Sequence, residues 1–234
     1  MKNTVITTFI GVGLAISAGA ANAASLNTSG TWTNSQPASG ISGNNTNQIS
    51  WGNPANPQNA QSSYVFEGVS DTVDIDDLID APFLLGEFTH NNFPITGTTL
   101  TSTTLNVDLN IDSFNQLFSF GFTHFETPNG ASPCAAGGVQ PCPDLVSFPN
   151  GVSDQLINID GVDYNLTLIG FSQHGPDNAV DEFLTLEAQS NTAGLYAQLT
   201  AVETPEPASL LGMITVGGAA IALRQGKQKR ALKS

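Results

Sequence analysis

Leu105-Asn106-Val107-Asp108-Leu109-Asn110-Ile111-Asp112 alternates apolar and polar residues without a break. A period of two puts the four apolar side chains on one face of an extended chain and Asn and Asp on the other. The stretch therefore predicts a strand with one face in a core and one in water. Just downstream, Phe118, Phe120, Phe122, His124 and Glu126 share one parity, so His124 and Glu126 continue a row of inward-facing phenylalanines. Upstream, Leu84, Phe88 and His90 share a parity, and the strand leaves through Asn91-Asn92-Phe93-Pro94.

Further strands are predicted at Ser63–Val69, Leu145–Phe148, Phe183–Ala188 and Leu195–Val202. Gln155–Ile159 pairs with Val162–Phe171 through Asp160-Gly161, a pair that favours a tight hairpin turn. From Ser25 to Gln61 the chain is rich in Asn, Ser, Gly and Pro, and two short strands are expected around Trp32 and Ile49–Trp51. About ten short strands with no convincing soluble helix predict an all-β protein, an antiparallel β-sandwich of jelly-roll-like form.

The two ends of the chain differ from this body. Lys2, the apolar run Val5–Ala20 and the small-x-small site Ala21-Asn22-Ala23 make residues 1–23 a secretory signal peptide, read by the secretion machinery and signal peptidase, with Ala24 as the new first residue. At the other end Pro205-Glu206-Pro207 precedes an apolar run from Ala208 to Leu223 and a basic tail with Arg224, Lys227, Lys229, Arg230 and Lys233. That run gives about 24 Å of helix against a ~30 Å hydrocarbon core, and Gly212, Gly217 and Gly218 weaken it, which suits a temporary stop in the membrane. The basic side should remain cytoplasmic, so the body, residues 24–204, faces outward as one domain.

All Lys and Arg lie in these two ends, and every acidic residue except Glu206 lies in the body. Such a surface repels nucleic acid and anionic lipid, and it offers no Lys or Arg ion pair. Cations, neutral sugars and basic proteins are the partners it admits. Cys134 and Cys142, the only cysteines, flank a Gly/Pro-rich loop and read as a local disulfide, since a zinc site would need further ligands at short spacing.

The Pro205–Ser234 arrangement (residues 205–234) resembles the PEP-CTERM sorting signal. That resemblance implies recognition and cleavage by an exosortase-like membrane protease, an inner-membrane intermediate, and delivery to the cell surface or beyond. An ordinary single-span anchor is the alternative. Within the body, Leu85–Ile95, Glu126-Thr127-Pro128-Asn129, Tyr164–Phe171 and Phe183–Glu187 resemble successive blocks of the choice-of-anchor K domain family. This second resemblance implies surface display and carries no assigned activity.

No catalytic motif stands out; Gly-x-Ser-x-Gly is absent. The first expectation is a non-catalytic surface or extracellular-matrix protein. A carbohydrate-binding module, holding extracellular polysaccharide, is the second: Trp32 and Trp51 could stack on sugars or could plug the core, with His90, His124 and Glu126 as further ligand contacts. A zinc hydrolase is the third. His90, His124 and His174 are the only histidines, each near a predicted strand end, and Glu126 or Glu187 would be the base; hydrogen-bonded structural histidines are the competing reading. Glu126 and Glu187 would form a glycosidase pair only if they faced each other across a cleft.

The sequence implies no resident cofactor, and calcium is the ion its oxygen ligands would suit. Candidates are the run Asp71, Asp74, Asp76, Asp77 and Asp80, and, around the disulfide loop, Glu126, Asn129 and Asp144. The run departs from an EF-hand, placing Asp76 and Pro82 where Gly and Glu belong. A solvated acidic surface with a diffuse counterion cloud is the alternative.

Overall fold

In the computed structural model the described residues are 23–149, 152–159 and 161–202. The signal peptide through Asn22 and the sorting segment Pro205 to Ser234 lie outside them. Among the described residues no helix is long and apolar enough to cross a membrane.

Two antiparallel sheets dominate. The first contains β1 (Ala23–Gln36), β6 (Ser70–Asp74), β9 (Ser102–Ile111), β10 (Phe114–Phe125), β11 (Asp144–Ser147) and β14 (Glu182–Thr185), in the order β14-β11-β10-β9-β1-β6. The second contains β2 (Ile41–Ser42), β3 (Gln48–Trp51), β5 (Ser62–Gly68), β7 (Phe83–Asn92), β12 (Val152–Ile159), β13 (Val162–Ser172) and β15 (Gln189–Ala201), in the order β12-β13-β15-β7-β5-β3-β2. A small ribbon pairs β4 (Asn53–Pro54) with β8 (Ile95–Thr96). Short 3-10 turns occupy Ile75–Leu78 and Pro176–Asn178.

The alternating stretch forms β9 as expected: Leu105, Val107, Leu109 and Ile111 are fully buried while their polar neighbours are half-buried. It turns into β10 at Asp112, whose φ of 51° sits in the left-handed region that Asp tolerates. The same Asp112 accepts a 2.7 Å hydrogen bond from the Ser25 amide, fixing the start of β1 to this hairpin. Phe118, Phe120 and Phe122 point inward from β10, meeting Phe66 and Phe88 from the other sheet in one core.

The region from Ser25 to Gln61 departs from expectation. The short strand expected at Ile49–Trp51 is present as β3, but the one around Trp32 is β1, which runs for 14 residues because it is paired on both sides, with β9 along most of its length and with β6 at its start. Double-sided pairing satisfies the backbone groups that its Asn-, Ser- and Gly-rich sequence would otherwise leave to water.

Phe66 crosses the interior between two glycines. A Cβ at Gly30 on β1 or at Gly86 on β7 would overlap its ring, so the glycines provide a slot that joins the sheets. Gly30→Ala should destabilise the protein by about 1–3 kcal/mol through overpacking. Urea denaturation would measure this, and Phe66→Leu in the Gly30→Ala background should recover part of the loss.

Candidate functional site

Toward one end of the two sheets the inward rows change from apolar to polar. On β7, Phe88 is followed at the same parity by His90 and Asn92; on β10, Phe122 is followed by His124. Asp144 begins the buried row Asp144, Val146, Phe148, and Glu187 extends the row Phe183, Thr185. These rows come from both sheets, so polar groups far apart in sequence meet beneath the loop that joins β10 to β11.

Sheet register sets the contacts. Tyr64 stands opposite His90 on β5 and β7, and Thr185 stands opposite Asp144 on β14 and β11. The His90 and His124 rings are 5.2 Å apart and nearly perpendicular. Trp51 lies under both, stacked on His90 at 5.6 Å and edge-on to His124 at 5.3 Å.

His124 Nδ1 is 2.6 Å from the Tyr64 hydroxyl. Its Nε2 is 3.3 Å from Glu126 Oε2 and 3.9 Å from Asp144 Oδ2. His90 Nδ1 meets Thr185 Oγ1 at 2.8 Å, and that hydroxyl donates to the Asp144 carbonyl at 3.2 Å. Asp144 Oδ1 accepts from the Thr127 amide at 2.7 Å. The Thr127 hydroxyl in turn donates to the carbonyls of Cys142 and Pro143, so the loop closed by the Cys134–Cys142 disulfide is tied to the cluster.

Several buried polar atoms here lack a hydrogen-bond partner: His90 Nε2, Asp144 Oδ2, both Glu187 carboxylate oxygens, Asn92 Oδ1, Asn129 Oδ1 and Trp51 Nε1. Unpaired buried groups are uncommon in folded proteins, and their concentration in one place marks a site. Burial, reinforced by the nearby Glu126 carboxylate, pushes Asp144 up to about 7. Glu187 rises to about 6 for the same two reasons, with Asn92 and Asn129 opposing the shift. Burial, aided by His124, holds His90 well below the usual imidazole range. Tyr64 is raised well above the ordinary phenol value, first by burial and then by Asp144 and Glu126.

The structure gathers some expected residues and separates others. His90, His124 and Asp144 offer ligand atoms within 4.8 Å of one another, as do Glu126, Asp144 and Glu187. His174 does not join them; it lies exposed beyond β13. Both histidines of the cluster are hydrogen-bonded near strand ends. The acidic run is spread over several local elements: Asp71 and Asp74 lie on the edge strand β6, Asp76 and Asp77 in the 3-10 turn, and Asp80 just beyond it. Asp71 accepts from the Thr72 amide and Asp74 caps the turn through the Asp76 amide, so these two carboxylates serve local backbone, and no three of the run bring ligand atoms within 4.8 Å of one another.

Of the two roles open to the tryptophans, the structure shows the core plug. Trp32 and Trp51 are both 0 % exposed, so neither can stack on a sugar. Glu126 and Glu187 do face each other, but Glu187 and the intervening Asp144 are buried, which leaves no room for a sugar ring between two catalytic carboxyls. Glu126 is the exception in the cluster, with its side chain 18 % exposed, and it borders a groove of about 360 Å³ lined also by Ile95, Thr96, Gly97, Thr99 and Asn129.

Sequence reasoning missed Tyr64, Asn92 and Thr185 as members of this site. The available signal was parity: each polar residue continues an apolar row at a spacing of two. Fold and site together define an all-β, two-sheet protein with a buried histidine and carboxylate cluster at one end. No protein-family model matches the chain, and no curated protein matches it.

The raised Asp144 value sets a pH dependence for the metal-free protein. The folded state holds this proton more tightly than the unfolded chain, so the stabilisation is complete below about pH 4 and is lost as pH rises to about 7. Glu187 acts in the same direction up to about pH 6, while His90 acts oppositely below about pH 6.5. Comparison with Asp144→Asn isolates the first effect. Between pH 4.5 and 7 in chelator, urea titrations should show the wild type losing about 1.4 kcal/mol per pH unit relative to the variant.

Proposed function

We propose that this chain is an exported, non-catalytic protein of the cell surface or extracellular matrix, sorted by its carboxy-terminal segment and cleaved there by an exosortase-like protease. The observation that carries the reading is the pair of opposed ends in the sequence: a cleavable signal through Ala23, and Pro205-Glu206-Pro207 followed by an apolar run and the basic tail. The Cys134–Cys142 disulfide is compatible with an oxidising compartment. So is a body without Lys or Arg, which has no electrostatic reason to stay with nucleic acid.

The scaffold in this reading is a jelly-roll-like sandwich of the choice-of-anchor K type. The repeated crossing of the chain between sheets supports it: β5 to β6 to β7, and β13 to β14 to β15, each leave one sheet and return. Such crossings, unlike a simple meander, bind the two layers together along their whole length.

Intact-mass analysis of the protein recovered from the cell surface tests the sorting. The expected species begins at Ala24 and ends near Pro205. A mature protein that still carries Lys233 and Ser234 overturns exosortase-type processing.

A further inference from the structure

We propose that the cluster built from two triads that share Asp144, the buried His90, His124 and Asp144 and the adjoining Glu126, Asp144 and Glu187, is a binding site for one divalent first-row transition-metal ion. The inference rests on the geometry of the cluster and holds wherever the protein is delivered.

The first argument is the state of His90. The single Thr185 hydroxyl proton goes to the Asp144 carbonyl, so the His90 to Thr185 bond can coexist with it only if His90 Nδ1 carries the hydrogen. That tautomer leaves Nε2 as a bare lone pair. It is fully buried and meets no donor, and His90 is one of the three residues, with His124 and Asp144, that offer ligand atoms within 4.8 Å of one another. A buried imidazole lone pair that meets no donor is the arrangement a metal cation completes.

The second argument is the opposing oxygen set. Asp144 Oδ2 is buried without a partner, buried Glu187 has only neutral donors beside it, Asn92, Asn129 and the Ala188 amide, and the body contains no Lys or Arg to neutralise either carboxylate. Two buried carboxylates, Asp144 and Glu187, beside a third at the groove concentrate negative charge next to two imidazoles, which is costly unless a cation is present. Ligand atoms bound at about 2.0–2.2 Å to one ion lie roughly 3–4 Å apart. His124 Nε2 stands 3.3 Å from Glu126 Oε2 and 3.9 Å from Asp144 Oδ2, the spacing of ligands on one ion.

The third argument is support around the ligands. Thr185 orients His90, Tyr64 meets His124 Nδ1, and the Thr127 amide holds Asp144. Outer contacts of this kind fix ring orientation in metal sites. Tyr64 can accept as well as donate, so His124 can present a bare Nε2 when an ion arrives. Glu126, at the groove, gives the ion a path in.

The donor chemistry selects the ion. Calcium and magnesium prefer shells made of oxygen alone, whereas imidazole nitrogen mixed with carboxylate suits zinc, manganese, iron, cobalt or nickel.

The test uses the full chain stripped with chelator and then titrated with Zn²⁺ by calorimetry and with Co²⁺ by visible absorption. One ion per chain should bind, with cobalt bands of nitrogen and oxygen ligation, and Ca²⁺ at the same concentration should not displace it. His90→Gln and Asp144→Asn should each weaken Zn²⁺ binding by roughly 100-fold or more, while His174→Gln leaves it unchanged. Folded wild-type protein that binds no Zn²⁺, or variants that bind as tightly as wild type, would overturn the proposal. If either variant fails to fold, imidazole NMR of the wild type decides: Zn²⁺ must shift the His90 and His124 ring signals and spare His174, and any other pattern counts against the site.

Discussion

No Lys or Arg lies anywhere between Ala24 and Thr204, so the body cannot compensate a buried carboxylate with an ordinary ion pair. It has only neutral donors, imidazole, protons and bound cations for that purpose. Most of its acidic side chains avoid the problem by facing water. Asp144 and Glu187 do not, and the hydrogen bonds of Thr127, Thr185 and Tyr64 are arranged around the consequence. The apolar interior and the charge distribution are thus linked: the sheets bury enough aromatic surface to hold a polar cluster at one end that would not assemble in isolation.

Alternation made much of this fold legible. From Leu105 to Ile111 in β9 the inward positions are apolar and the outward ones polar, and in β10 Phe118, Phe120, Phe122 and His124 are buried in alternation with exposed neighbours. The length of β1 was not legible, because its extension comes from β6 and β9, partners distant in sequence, and local propensity argues against a long strand there. The site was half legible. His124 and Glu126 could be placed inward by parity, and Asp144 could be suspected as a cation ligand near the disulfide loop. That His90 would meet them required knowing which strands of opposite sheets end at the same place. His174 shows the converse, since its strand-end position looked equivalent in sequence and the fold puts it elsewhere.

The disulfide has a role beyond closing a loop. Cys142 is buried and its carbonyl accepts from Thr127, whose amide holds Asp144. The loop carrying Glu126, Thr127 and Asn129 is therefore fixed at one end by β10 and at the other by a covalent link next to β11. Rigidity at that point keeps the geometry of the cluster independent of the glycine-rich residues that follow Cys134.

The outermost strands of the first sheet, β14 and β6, carry acidic residues at or beside their free edges: Asp181 and Glu182 on one side, Asp71 and Asp74 on the other. An open edge offers unpaired backbone groups to any neighbour, and many proteins guard it with lysine. Here the guard has the opposite sign. In a dense layer of identical molecules, every copy presents the same negative margins to the next, so strand-by-strand fusion is suppressed by mutual repulsion. That repulsion is only as long-ranged as the surrounding salt allows, which makes the spacing of such a layer responsive to the ionic content of the medium.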